Sequence, residues 1–330
     1  ASLALDPAFA DVDLRGMLLV DTETTGLAGG SGTLPFLIGL GWFEGESLRL
    51  HQLFLKRPGE EGPMLAFLAE RIRQASCLVT YNGKTFDWPL LRTRFVMNRL
   101  KVPQPPPHLD LLHCARRVFK YRAGGTRLVQ VEEEVLGHRR IGDVDGSQIP
   151  ELYFRFLRGG SASALGPVIE HNAHDLVLLA ALLGKLAHGL KDGGDELDPR
   201  DRLGFAQVAA RAELTDRALQ LARSTAAAAK GALAAEAWQL SAWLLRQQGD
   251  ARGAAEAFHR ALPHADRKQA PTIHFALAKL YEHSLRNLPR ALEHARRTTP
   301  AEGPADQARH VARLERRLSG HSGQAPLLVD

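Results

Sequence analysis

The sequence predicts an α/β domain with a mixed sheet and flanking helices, followed by an all-α domain. Met17–Val20 is an apolar run that leads into two acids, which is typical of a buried central strand with packing layers on both faces. Residues 34–43 and 47–56 read as two further strands joined by a short turn, which predicts antiparallel pairing. After residue 195 the chain is rich in Ala and Leu, with helical periodicity and almost no strand signal.

The remaining elements of the first domain follow from apolar spacing and turn residues. Within them we expect Glu132–Glu134 to form a solvated acidic face, and Tyr153, Phe154 and Phe156 to lie in the core. In chain order the predicted elements are a helix over 60–75, a strand over 77–81, a helix from about residue 86, a strand over 108–112 with a basic helix after it, and helices over 126–137, 149–158 and 166–188.

Helical repeats are predicted for the second domain. We place the domains at residues 1–192 and 193–330, with a Gly- and Asp-rich linker between them. Ala218, Ala254 and Ala291 recur at intervals of 36 and 37 residues, close to the roughly 34-residue period of tetratricopeptide repeats. The pattern therefore resembles a tetratricopeptide array of about three helix pairs, and an irregular helical bundle is the alternative.

The net charge of +5 is unevenly distributed. Residues 1–195 hold 22 basic and 22 acidic side chains, whereas residues 196–330 hold 20 and 15. Such an excess favours an anionic partner without requiring one. The helical array is thus expected either to bind a partner protein, as such arrays commonly do, or to guide nucleic acid. The basic candidates are Arg246, Arg252, Arg260, Arg267 and Lys268.

Composition narrows the class of protein further. Cys77 and Cys114 are too few for a disulfide framework or a cysteine zinc site. Residues 1–13 carry acids in place of the basic and apolar segments of a signal peptide. Residues 178–183 are apolar but short for a membrane span. We expect a soluble, cytoplasmic protein with no membrane contact.

Two carboxylates stand at the end of the first strand. Asp21 and Glu23 lie two positions apart and therefore point to the same face. Side by side they would repel each other and lose hydration, so a cation is the natural partner. Oxygen ligands favour Mg²⁺ or Mn²⁺. The alternative is a solvated acidic turn.

Further polar residues occur at the ends of later elements. Asp87 follows the strand over 77–81 near a helix start, where it is either a metal ligand or a favourable charge on the helix dipole. Asp110 reads as a helix cap or a residue that supports the site, with the structural role favoured. His171 and Asp175 are four apart and share a helix face, either as site residues or as a structural ion pair.

The order of these motifs resembles the DEDD exonuclease superfamily, whose fold is ribonuclease-H-like. The stretches between the motifs resemble the YprB-like branch, and the resemblance covers about residues 15–190. The motifs are Asp21-x-Glu23, Asn82-x-x-x-Phe86-Asp87 and His171-x-x-x-Asp175, and the intervening stretches are residues 81–87, 108–113, 136–137, 149–153 and 171–172.

This resemblance implies hydrolysis of phosphodiester bonds with two divalent ions, Mg²⁺ or Mn²⁺, about 3.5–4 Å apart. His171 would be the general base, since a histidine titrates near neutral pH. The substrate would be single-stranded nucleic acid, DNA in preference to RNA, attacked from its 3′ end. The implied metal ligands are Asp21, Glu23, Asp87 and Asp175, and the implied substrate-binding residues are Thr24, Leu27, Asn82, Lys84 and Phe86.

The last motif departs from both types within this superfamily. The histidine type has its base five residues before the aspartate, where this chain has Glu170. The tyrosine type has a tyrosine four before it, where this chain has His171. A different class of function is the alternative: a catalytically inert scaffold that binds a partner protein through its helical repeats.

Overall fold

The computed structural model describes residues 1–26, 32–122, 125–298 and 304–322. The chain divides into two compact units, Ala1–Lys191 and Asp192–Asp330. This division lies one residue from the expected domain boundary.

The first unit contains a five-stranded mixed sheet. Its strands are β1 (Met17–Thr24), β2 (Pro35–Glu44), β3 (Ser47–Phe54), β4 (Cys77–Thr80) and β5 (His108–Asp110). The order across the sheet is β3-β2-β1-β4-β5, with β1 antiparallel to β2 and parallel to β4. The predicted antiparallel opening and the mixed α/β sheet are therefore confirmed, and β1 is the central strand.

Helices pack around this sheet. They are α1 (Glu61–Gln74), α2 (Asp87–Met97), α3 (Leu111–Val118), α4 (Leu128–Val131), α5 (Ile149–Leu157) and α6 (Gly166–Lys191), with a π-helix at Glu132–Leu136 and 3₁₀ turns at Pro7–Phe9, Leu14–Gly16 and Ala162–Leu165. The π-helix ends at Gly137, whose φ of +69° is readily adopted by glycine.

Aromatic stacking joins α5 to the sheet. Phe36 of β2 and Tyr153 of α5 are fully buried, and their rings stack with centroids 4.1 Å apart. The Tyr153 hydroxyl donates to the Leu55 carbonyl oxygen at 3.0 Å, which satisfies its polar end inside the core. Phe156 is partly buried against the same cluster.

Three details of the predicted elements were wrong. Phe154 is 38% exposed, because it lies on the outer face of α5. Glu132 is only 4% exposed and receives a hydrogen bond from Arg140, so it does not belong to a solvated face. The strand over 108–112 stops at Asp110, because the Asp110 side chain accepts a hydrogen bond from the Leu112 backbone and caps α3.

The long helix α6 packs against β1, β2 and β3. Among the described residues, one helix, residues 162–191, is long and apolar enough to cross a membrane by length and composition. This finding goes against the expectation that no segment resembles a span. Core helices of soluble proteins pass the same test, so the finding carries little weight for a membrane span.

The second unit is helical throughout its described part. Successive helices pack against one another, and small side chains at Ala218, Ala254 and Ala291 are fully buried between them. The all-α prediction is thus confirmed, while the tetratricopeptide type of repeat stays a prediction. The helices are α7 (Pro199–Arg211), α8 (Thr215–Ala228), α9 (Gly231–Gln247), α10 (Ala251–Ala261), α11 (Gln269–Lys279), α12 (Leu288–Ala295) and α13 (Pro304–Ser322), with a 3₁₀ turn at Leu262–His264 and a π-helix at Leu280–Ser284.

Candidate functional site

The central strand contributes two carboxylates to one face of the sheet. Asp21 pairs in register with Gly39 of β2, and Glu23 pairs with Leu37. The register shifts after Glu23, so the acids occupy the last regular positions of the pairing. Both side chains are at most partly exposed.

Asp87 is brought to the same site by the start of α2. It is 8% exposed, and the Thr22 hydroxyl of β1 donates to its Oδ1. Burial raises the pKa of Asp87 to about 6, although the hydrogen bond from Thr22 opposes this shift. Asp87 thus follows a strand and a turn at the start of a helix, as predicted, and its hydrogen bond with Thr22 places it beside β1.

Helix α6 supplies a histidine and a fourth carboxylate. His171 Nε2 lies 3.7 Å from Asp175 Oδ2, as expected for positions four apart on one helix face. Ligand atoms of Glu23, His171 and Asp175 all lie within 4.8 Å of one another. The structure thus brings the strand motif and the helix motif together.

The carboxylates destabilise one another's charged forms. Burial raises the pKa of Asp21 well above its ordinary value, and the charges of Asp175, Glu23 and Asp87 raise it further. Burial, with contributions from Asp175 and Asp87, also raises the pKa of Glu23 to about 7, against the opposing charge of His171. The groups that act most strongly on Asp21 include three acids and no cation.

Divalent cations fit this donor set. Carboxylate oxygens are the ligands that hard ions such as Mg²⁺ and Mn²⁺ prefer. Burial and neighbouring acids raise the pKa values of Asp21 and Glu23, and a bound cation would offset both effects. The four acids that the sequence singled out are the residues that would hold it.

Arg140 is a site residue that sequence reasoning missed. Its side chain is 5% exposed, and its guanidinium contacts Asp175 Oδ1 at 2.5 Å, Glu132 Oε2 at 2.7 Å and Asp143 Oδ2 at 3.0 Å. Burial raises the pKa of Asp175, although His171 and Arg140 oppose this shift. Arg140 therefore fixes one oxygen of Asp175, while the other oxygen faces His171.

Asp143 was also missed, and it orients the histidine. His171 Nδ1 lies 2.9 Å from both carboxylate oxygens of Asp143. A carboxylate only accepts, so Nδ1 carries the proton and donates it. The remaining ring nitrogen, Nε2, faces Asp175. Burial alone would raise the pKa of Asp143, but hydrogen bonds from His171 and Arg140 lower it below its usual range.

Asn172 is a third residue of the site that the sequence did not predict, and it forms a hydrogen bond with Asp21. Asn172 is fully buried; its Nδ2 donates to Asp21 Oδ2 at 2.7 Å, and its Oδ1 accepts from Gln52 Nε2 at 3.0 Å. A Cβ on Gly39 would lie 2.3 Å from Asn172 Oδ1. Glycine at position 39 therefore leaves room for the Asn172 side chain to reach Asp21 on the neighbouring strand.

The turn after β4 is organised by Asp110. Its Oδ1 accepts from the Asn82 backbone at 2.8 Å, and its Oδ2 accepts from the Lys84 backbone at 3.1 Å. Asp110 therefore shapes this turn as well as capping α3, which is the structural role favoured from the sequence. Asn82 adopts a φ of +64°, and a Cβ on Gly83 would clash with Thr80 at 2.5 Å.

The residues predicted to bind substrate occupy varied environments. Asn82 and Lys84 are exposed, and Phe86 is half-buried at the residue before α2. Thr24 is buried, and its hydroxyl donates to the Gly26 carbonyl oxygen at 2.9 Å. Leu27 lies outside the described residues. Their role in substrate binding stays a prediction.

Comparison with known proteins agrees with this architecture. A profile of the RNase_H superfamily matches residues 18–187. The protein named "Uncharacterized protein YprB" from Bacillus subtilis (strain 168) is 40% identical over 171 residues. The match spans 51% of this chain and 41% of that protein, so the chain corresponds to less than half of this relative.

Among solved structures, a family B DNA polymerase from the archaeon Pyrobaculum calidifontis aligns with 70% of this chain and 29% of its own. The TM-score is 0.43 at 13% identity, a similarity too low to support a conclusion. The profile match over more than half of the chain, which includes both the sheet and α6, is what assigns the family. The chain belongs to the RNase_H superfamily.

Proposed function

We propose that this protein is a divalent-metal-dependent exonuclease of the DEDD type. Membership in the RNase_H superfamily supports a nuclease, and one observation supports the finer assignment. His171 lies beside Glu23 and Asp175, and burial, together with the like charges of neighbouring carboxylates from β1, α2 and α6, raises the pKa of Asp21 and of Glu23. The proposed substrate is single-stranded nucleic acid, DNA in preference to RNA, shortened from the 3′ end.

In the proposed reaction, water attacks the phosphorus and the bond to the 3′-oxygen of the preceding nucleotide breaks. When bound, two divalent ions would lower the pKa of the water and stabilise the departing oxygen. Asp21, Glu23, Asp87 and Asp175 would hold these ions. His171 accepts the proton of the water at Nε2, because Asp143 keeps the other nitrogen protonated. Solvent protonates the departing oxygen.

The test is release of nucleotides by the purified full chain with Mg²⁺ or Mn²⁺. Single strands of DNA and RNA, labelled at either end, are compared in parallel. A 5′ label should yield a ladder of shortened strands, and a 3′ label should yield mononucleotide from the start. Asp21→Ala and Asp175→Ala should each lower the rate by at least about 10³-fold, since each removes a metal ligand.

A matched control is Glu282→Gln, which alters a buried acid outside this site and should retain the nuclease activity. Full activity in either aspartate variant would overturn the proposal. The inert-scaffold alternative predicts no release of nucleotides with any divalent ion, together with capture of a partner protein by the second unit.

A further inference from the structure

The segment His138–Asp143, here called the site loop, carries a fully exposed apolar side chain. Ile141 is 97% exposed, and the next most exposed large apolar side chain in the described part of the chain is Val96 at 65%. An isolated apolar residue on a protein surface is common and needs no explanation by itself. Ile141 is of interest because the residues beside it in the chain contact the candidate metal centre.

Two anchors fix the tip of the site loop beside the site. Arg140, directly before Ile141, contacts Asp175, and Asp143, two residues after it, contacts His171. Gly142 has a φ of +74° and allows the chain to reverse between the anchors. Because adjacent Cα atoms are about 3.8 Å apart, the backbone of Ile141 stays close to the two residues that anchor the loop.

A cavity of about 300 Å³ opens between the site loop and α6. Its far wall is formed by Pro167, Glu170 and His174, on the helix that also carries His171 and Asp175. This volume lies at the lower end of the range for small-ligand sites, about 300–1,000 Å³. One nucleotide is a ligand of suitable size.

The chemistry of the walls also suits a nucleotide. His138 and His174 offer imidazole rings, on which unpaired bases stack. Arg139 offers a side chain that is 82% exposed, and its ion pair with Glu133 is long, at 3.7 Å. Glu170 would repel a phosphate, so a bound phosphate is favoured on the side of Arg139.

We propose that Ile141 and this cavity form a subsite for an unpaired nucleotide next to the cleaved bond. Ile141 acts as an apolar wedge between two neighbouring bases, a role that isoleucine has in proteins that unstack base steps. Arg139 contacts the adjoining phosphate. This inference rests on the proposed function. It explains why the substrate would be single-stranded or frayed at its end, since only an unpaired nucleotide fits the subsite.

The test uses single-stranded DNA with 2-aminopurine at one of its last three 3′ positions, because the fluorescence of this base rises when it is unstacked. Binding is measured with full-length protein carrying Asp21→Asn, which prevents hydrolysis. Fluorescence should rise for one label position. Adding Ile141→Ala should abolish the rise and increase Kd about 5–10-fold, the loss expected for one base contact.

Arg139→Ala should increase Kd and lower the salt dependence of binding by about one phosphate contact. Matched controls are Val96→Ala, an exposed apolar residue on α2, and Arg158→Ala, an exposed arginine paired with Glu151; both should bind as the parent does. An unchanged fluorescence rise or Kd in the Ile141→Ala variant would overturn the subsite.

The experiments distinguish failure of the nuclease proposal from failure of the subsite proposal. If the wild-type protein binds DNA and shows the Ile141-dependent fluorescence rise but releases no nucleotide, the nuclease proposal is wrong, and Ile141 and the cavity form a nucleotide-binding site without cleavage. If nucleotides are released while Ile141→Ala leaves binding and fluorescence unchanged, the reverse holds. A protein that binds no oligonucleotide contradicts both.

Discussion

Each unit of the chain buries a carboxylate among charged groups, and the two surroundings have opposite signs. Glu282, in the second unit, contacts Arg313, Arg317 and His310 of α13 at 2.5–3.0 Å. Asp21, in the first unit, is surrounded by other acids, and the hydrogen bond from Asn172 is what opposes them.

The pKa values record this difference. Burial alone would raise the pKa of Glu282, but hydrogen bonds from Arg313 and His310 lower it to about 2. At Asp21 burial and the neighbouring carboxylates both raise the pKa. A buried acid is therefore not a sign of function by itself. An acid that the protein leaves without positive charge is the one that indicates a cation site.

The largest expected effect concerns His171. His171→Ala should lower the turnover number by roughly 10²–10⁴, the usual loss for a positioned general base. Affinity for Mn²⁺ should largely survive, because the four acids remain. Steady-state kinetics and calorimetric titration with Mn²⁺ separate the two quantities. His188→Ala, an exposed histidine on the same helix, is the control; wild-type turnover in His171→Ala would assign the proton to another group.

Removing the charge of each buried acid should change stability in opposite directions. Glu282→Gln should destabilise the protein by roughly 2 kcal/mol. That is less than the 3–5 kcal/mol for breaking a fully buried pair, because the side chains of Arg313 and Arg317 are 46% and 45% exposed. Asp21→Asn should stabilise the metal-free protein by roughly 1–2 kcal/mol, since it removes repulsion. Urea unfolding in EDTA measures both, and the same sign for both variants would contradict the comparison.

Asn172 should tune the metal affinity through Asp21. Asn172→Ala should weaken Mn²⁺ binding about 10–100-fold, the effect usual for groups that orient a metal ligand. Gly39→Ala should have a similar effect, because its Cβ would displace Asn172.

A double-mutant cycle tests this arrangement by calorimetric titration with Mn²⁺. The double variant should be no worse than Asn172→Ala alone, since the displaced side chain is already absent. Gly41→Ala, on the same strand but against Leu19 and Leu50, controls for general strain. Additive losses, or wild-type affinity in Asn172→Ala, would show that Asn172 does not act through Asp21.

The smallest effect is expected at Lys84. Lys84→Ala should lower the slope of log affinity against log salt by about 0.7, the share of one phosphate on a single strand. Titrations of a labelled oligonucleotide at several salt concentrations measure this slope. Lys101→Ala, another exposed lysine, should leave it unchanged. An unaltered slope for Lys84→Ala would place this side chain outside the binding surface.

Local patterns predicted the parts of the site that lie on regular elements. The alternation of β1 placed Asp21 and Glu23 on one face, and helical spacing joined His171 to Asp175. Loop residues carry no such periodicity. The sequence of the site loop gave no signal that Arg140 would reach Asp175, 35 residues later.

The other contacts that the sequence did not predict depend on how distant segments of the chain pair and pack. The hydrogen bond between Gln52 and Asn172 joins residues 120 apart in the sequence. It forms because α6 packs against β3. The space at Gly39 has meaning only once the pairing of Gly39 with Asp21 is known. Glu132 reads as part of an acidic run until Arg140 is seen to fold back onto it.

The central claim, that divalent cations neutralise the acidic cluster, is tested most directly by stability as a function of pH. Glu23 has a pKa of about 7 in the folded protein against an ordinary 4.5, and Asp87 has about 6 against 3.8. Between these values the folded state keeps protons that the unfolded state has lost. Stability from these groups is therefore fully present below about pH 4 and is lost as the pH rises through 6–7.

The measurement is the Tm of wild-type protein and of Glu23→Gln, from pH 4 to 8, with EDTA or with Mn²⁺. In EDTA the wild-type Tm should fall, relative to that of Glu23→Gln, as the pH rises through 6–7, because the variant lacks the carboxyl group whose pKa is raised to about 7. Mn²⁺ should restore it, because a ligand that binds only the folded state stabilises that state. A wild-type Tm at pH 8 that is the same with Mn²⁺ as with EDTA would contradict a metal centre at these residues.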